Sequence, residues 1–152
     1  MLFQVLMFIF VLLVIAAIGP STTNAVWIQR AMADRAALPF TLRGIKWIND
    51  WISIPAIGLL VIVGIWMVIV ADLSLSQPWI LLSLILWLAA FLLGLFGYRP
   101  TLARQIAVAE SADLDKEEYD SVAWRSTIIG IIIGVIVLVA IFLMVFQPAL
   151  WG

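Results

Sequence analysis

Few side chains in this 152-residue chain are able to do chemistry, and most lie at the edges of long apolar stretches. The most polar group close to membrane depth is Pro20, Ser21, Thr22, Thr23 and Asn24. A proline there frees an upstream carbonyl. Beside hydroxyls and an amide, that carbonyl could coordinate a small polar ligand or a cation, as broken helices do in transporters. The plainer alternative is a helix leaving the bilayer, its Ser and Thr satisfying their own backbone. A second group, Arg30, Asp34, Arg35 and Asp50, could meet lipid headgroups. Ser53 and Ser83 form no nucleophile, base and oxyanion arrangement. No phosphate loop, metal-ligand spacing or pair of catalytic carboxylates is found. The chain has no cysteine and no histidine. That removes disulfides, thiolate sites, the commonest general base and the usual zinc and haem ligands. No catalytic, cofactor or metal residue is assigned, and no cofactor is expected.

These residues are positioned by elements that composition makes plain. Hydrophobic residues make up 66% of the chain and charged ones 11%, against roughly half and a quarter in soluble proteins. The net charge of -1 is too small, and too evenly mixed, for nucleic acid to be the partner. Four apolar runs, Leu2 to Gly19, Trp51 to Ala71, Trp79 to Tyr98 and Thr127 to Phe146, contain no Asp, Glu, Lys or Arg. Each is close to the ~20 residues a helix needs to cross ~30 Å of hydrocarbon. Because lipid offers the backbone no hydrogen bonds, the runs read as helices despite their Ile and Val. The expected fold is all-α, one bundle of four transmembrane helices over residues 1–152. The first run lacks the basic start and short apolar stretch of a secretory signal, so it is read as a retained span.

All eight basic residues fall in the loops Pro20 to Asp50 and Arg99 to Ser126. Cytoplasmic loops hold Lys and Arg, so both loops are expected inside and both termini outside, in a bacterial inner membrane. Trp27, Trp47, Trp51 and Trp124 then fall near the inner interface and Trp79 and Trp151 near the outer one, while Trp66 and Trp87 are expected to fill space between helices.

The inner loops also carry helix signals. Asp115 stands before Lys116, Glu117 and Glu118 as a helix cap, so a helix should run through Tyr119 and Trp124 into the fourth span. Arg99-Pro100 is expected to end or kink the third span. The stretch Leu102 to Glu110 then forms a cytoplasmic hairpin with the fourth helix, placing Arg99 and Arg104 near Glu117, Glu118 and Asp120, and Arg99, Arg104, Glu117, Glu118 and Tyr119 form a candidate docking face. In the first loop, Ala25 to Ala37 continues the first helix past a bend at Gly19-Pro20, and Leu42 to Trp47 suits a short amphipathic piece on the membrane surface. Gly130 and Gly134 form a GxxxG spacing, and Ala90 and Gly94 repeat it in the third span. Both fit close helix packing, within the bundle or against a partner.

The order of these features resembles the bacterial family of small integral membrane proteins called domain of unknown function 2269. The resemblance rests on Ile48-Asn49-Asp50-Trp51 with Pro55, on Pro78-Trp79-Ile80 and on Pro100-Thr101-Leu102-Ala103-Arg104. It continues through Glu118-Tyr119 and closes on Leu143-Met144-Val145-Phe146-Gln147-Pro148. Members often carry a histidine in the first helix; this chain has none, and Gln147 stands where a basic residue is common. The resemblance implies the architecture and no activity.

The functional expectation is a non-catalytic accessory or assembly subunit of a larger membrane complex, with lipids and other transmembrane chains, or further copies of itself, as partners. The competing class is a transport component for a small or lipophilic molecule. Charged residues facing a cavity would favour it, and the spans have none. A lipid-acting enzyme at the inner interface is the third class.

Overall fold

A peptide group in hydrocarbon finds hydrogen-bond partners only within the protein, and this chain meets that demand with helices alone. The computed structural model describes residues 1–111, 113 and 115–148, with no strand among them. Its elements are α1 (Leu2–Met32), α2 (Ala37–Ile48), a first π-helical segment (Asn49–Ser53), α3 (Ile54–Val70), α4 (Pro78–Leu92), a second π-helical segment (Leu93–Tyr98), α5 (Arg99–Glu110) and α6 (Lys116–Phe146). Through the π-helical segments, α2 runs on into α3 and α4 into α5. The result is four helices long and apolar enough to span a membrane, of 31, 34, 33 and 31 residues.

At 1.5 Å per residue each rod is roughly 50 Å long, well beyond the ~30 Å hydrocarbon slab. The excess lies at the charged end of every rod, and the four extensions pack together there. The molecule therefore has two cores. The spanning core holds Leu60, Trp87, Ala90, Val137 and Ala140, with Phe10 set edge-on to the Trp87 ring at 6.1 Å between centroids. The second core, a helical cap, is built from Leu38, Leu42, Leu102, Ile106 and Tyr119. Outside the spanning core the rods are apolar too: Phe8, Ile62, Ile85, Leu138 and many others are exposed, the surface that lipid covers.

α1 continues past Pro20 as expected, the ring removing only one hydrogen bond from a helix of 31 residues, and it stops at Met32, short of Ala37. Other local expectations are corrected. Leu42 to Trp47 does not form a separate surface piece. Leu38, Leu42 and Ile45 recur on one face of α2, and that stripe is buried in the cap against α1 and α5. Arg99-Pro100 does not end the third rod. Each π-helical segment ends two residues before a proline, Pro55 or Pro100. Its wider turn takes up the ring that would otherwise press on the carbonyl four residues back, so the rod continues. Trp66 is half exposed on the lipid face, and only Trp87 fills interhelical space. Trp151 lies outside the described residues. The cap on α6 is as expected, the Asp115 carboxylate accepting from the Glu117 N–H at 3.0 Å.

Two glycines test this packing. A Cβ on Gly58 would stand 3.1 Å from the Phe91 ring between α3 and α4, whereas one on Gly44 would meet nothing within 4 Å. Gly44→Ala should stabilise the protein by ~0.5–1 kcal/mol through helix propensity, while Gly58→Val should destabilise it by ~1–3 kcal/mol through overpacking. Thermal unfolding of both variants in one detergent checks the opposite signs.

Candidate functional site: a cavity between the first and last helices

α1 packs on α3, α3 on α4 and α4 on α6, but α1 and α6 do not pack closely on each other. A cavity of about 310 Å³ fills the gap. Small residues make it. Ala17, Ser21 and Asn24 recur on one face of α1, and Ser126, Gly130 and Gly134 on the facing side of α6. A Cβ on Gly134 would meet nothing within 4 Å, and one on Gly130 only the edge of the Tyr98 ring at 3.7 Å. Inside this chain the GxxxG spacing therefore leaves a gap instead of seating a neighbouring helix. Of the matching pair in the third rod, Ala90 is fully buried in the spanning core while Gly94 lines the cavity.

The back wall comes from the two π-helical segments, which supply Asn49 and Ser53 on one side and Gly94 and Tyr98 on the other. Gln105 reaches in from α5. The polar atoms here are poorly matched by the protein. The Gln105 amide donates to the Tyr119 hydroxyl at 3.1 Å, yet its Oε1 has no partner. Asn49 Nδ2 and Ser126 Oγ are likewise buried and unpartnered. Each such group costs about 1–3 kcal/mol if nothing meets it. A cluster of them around a cavity is the signature of a site for a polar guest. Amides, hydroxyls and one phenol line the space, with no Asp, Glu, Lys or Arg among the described lining residues.

The remaining candidates fall into separate places. Of the group at Pro20, Ser21 and Asn24 face the cavity. The Thr22 and Thr23 hydroxyls donate to the Gly19 and Pro20 carbonyls of their own helix, at 2.7 and 3.0 Å. The docking face is divided. Arg99 does not join the acidic start of α6; its Nε sits 3.2 Å from Asp50 Oδ1, and Lys46 also holds that carboxylate. Arg104 faces Glu118 at 4.0 Å on the surface, and Glu117 stands in the exposed first turn of α6. Tyr119 is buried in the cap and presents nothing to a partner.

The family described as predicted integral membrane protein, DUF2269, matches residues 4–148. The chain belongs to this family. No curated protein and no solved structure matches the chain. Among the residues that carry the DUF2269 resemblance, Asn49, Asp50, Pro55 and Pro100 lie in or beside the π-helical segments that back the cavity.

Reasoning from sequence missed the cavity as a unit and missed Asn49, Gln105 and Ser126 as its polar lining. A signal was present for two of them. Gln105 falls on the stripe Leu102, Ile106 and Ala109 of α5, and Ser126 continues the stripe Tyr119 and Val122 of α6, where apolar residues are the rule.

The charge contacts make separable predictions. Asp50 has a side chain only 12% exposed and is flanked by two cations. Asp50→Ala should lower stability by ~2–4 kcal/mol, because it leaves two like charges without their anion. Arg104→Ala, at an exposed and distant pair, should cost less than ~1 kcal/mol. Unfolding of both variants in the same detergent checks this ranking.

Proposed function

We propose that this protein is a non-catalytic membrane component that binds a small amphipathic molecule in the gap between α1 and α6, as part of a transport or transfer step. One observation carries the reading: three buried polar atoms without partners, Asn49 Nδ2, Gln105 Oε1 and Ser126 Oγ, belong to residues that converge on one cavity. Such an arrangement is unfavourable empty and is stabilised by a guest. A lipophilic guest needs no intramembrane charge, so the uncharged spans argue against ion-coupled pumping and not against this binding. The lining offers no base beside its hydroxyls, which supports binding without chemistry.

An accessory-subunit role is the second reading. It is favoured by the exposed Arg104, Glu117 and Glu118 on the cap, whose surface pair at 4.0 Å binds loosely enough to exchange for a partner's charges. We further propose that the charged cap faces the cytoplasm of a bacterial inner membrane with both termini outside, on the strength of the basic residues gathered there.

Purification from native membranes in mild detergent tests both roles. The expected result is a small molecule released on denaturation of the parent protein and absent from Gly134→Leu, whose Cβ would meet nothing within 4 Å and whose longer side chain would take up space in the cavity. A parent that carries no guest but holds a fixed set of partner chains would replace binding with the accessory role. Sidedness is tested by thiol labelling, since the chain has no native cysteine. Ser74→Cys should react with an impermeant reagent in intact cells, and Ser111→Cys only after permeabilisation. The reverse pattern would invert the topology.

A further inference from the structure

The unmatched atoms of the residues that line the cavity restrict its guest more narrowly than its size does. We infer that the site takes the head of an uncharged lipid bearing a hydroxyl, with the hydrocarbon tail leaving between α1 and α6 into the bilayer. This rests on the binding role proposed above and adds the chemistry of the ligand.

Charge is the first restriction. No ionised side chain lines the cavity among the described residues, and Lys46 and Arg99, close in sequence to the lining residues Asn49 and Tyr98, are engaged by Asp50. A carboxylate, phosphate or ammonium head would lose its water there and gain no counter-ion. Hydrogen-bond type is the second. Asn49 Nδ2 is a donor in need of an acceptor, while Gln105 Oε1 is an acceptor in need of a donor. A ketone or ester head serves Asn49 and leaves Gln105 unmet. A hydroxyl both donates and accepts, and it also suits Ser126 Oγ. The assignment rests on the Gln105 amide donating to the Tyr119 hydroxyl, which leaves Oε1 as the unmet acceptor.

Size and shape are the third restriction. At about 310 Å³ the cavity is at the small end of ligand pockets, which run roughly 300–1,000 Å³. It holds a head and the first few carbons, not an entire lipid. The outward route is apolar: Ile18 and Ile131 flank the cavity on the two helices, and Ile131 is itself largely exposed on the lipid side.

Three probes with nearly the same eighteen-carbon tail separate these demands: oleyl alcohol, methyl oleate, and oleate at a pH where it is ionised. Each is added to the delipidated protein in one detergent, and the shift in unfolding temperature is read against probe concentration. Oleyl alcohol should stabilise at concentrations about tenfold or more below those needed for the other two, the ratio that one well-placed hydrogen bond supports. Gly134→Leu should abolish the shift. Gln105→Leu, which removes the unmatched amide, should bring oleyl alcohol and methyl oleate to within about threefold of each other, and it serves should Gly134→Leu fail to fold. Equal stabilisation of the parent by oleate or methyl oleate would overturn the hydroxyl assignment while leaving a lipid site in place. No shift with any probe that is sensitive to either variant would remove the site and this inference with it.

Discussion

The structure turns on the need to satisfy every peptide group away from water, and on two prolines that cannot contribute to it. Pro55 and Pro100 lack a backbone donor, and each ring crowds the carbonyl of the preceding turn. In a soluble helix, water would meet the freed carbonyl. Here the chain widens one turn into a π-helix just before each proline and keeps the rod intact. Because the second and third rods run in opposite directions, their widened turns come to the same level beside each other. Asn49, Ser53, Gly94 and Tyr98 are thereby turned toward one space.

Packing in the two halves rests on different forces. Among the spanning helices the exclusion of water contributes little, since lipid tails are as apolar as the side chains they would replace. Contact depends on fit, as in the edge-on Phe10 and Trp87 rings and the buried Ala90 and Ala140. In the cap, where the arginines and carboxylates of the chain gather, burial of Leu42, Leu102 and Ile106 draws on the ordinary hydrophobic effect. The cavity sits where one regime gives way to the other. Wide apolar packing ends at Ala17 and Val137, and the cap closes over Gln105 and Tyr119.

Much of the fold was legible in the sequence because it was written in composition. Runs without Asp, Glu, Lys or Arg mark the spans, and Asp115 marks the start of α6. The continuity of the rods was not legible, because proline signals a break in water and a widened turn in a supported helix. The site was half legible. Ser21 and Asn24 stood out by polarity, but Asn49, Gln105 and Ser126 come from three further elements and converge only once the rods are placed. Gly130 and Gly134 show the limit most clearly. The lack of a side chain permits either a close approach or an opening, and only the position of α1 decides between them.

The π-helical segments also set the angular phase of the two halves of each rod. An extra residue in a turn rotates everything beyond it by about 100° relative to an uninterrupted α-helix. In sequence the buried positions keep one helical spacing along each rod, Leu38, Leu42 and Ile45 running on to Ala56 and Leu60, and Trp87 and Ala90 to Leu102 and Gln105, so the inserted turn makes the cap stripe and the bundle stripe of one rod face different directions. Membrane bundle and cap are geared to each other through these two inserts. Losing a single residue from either would leave both stripes intact in composition and aim one of them at solvent.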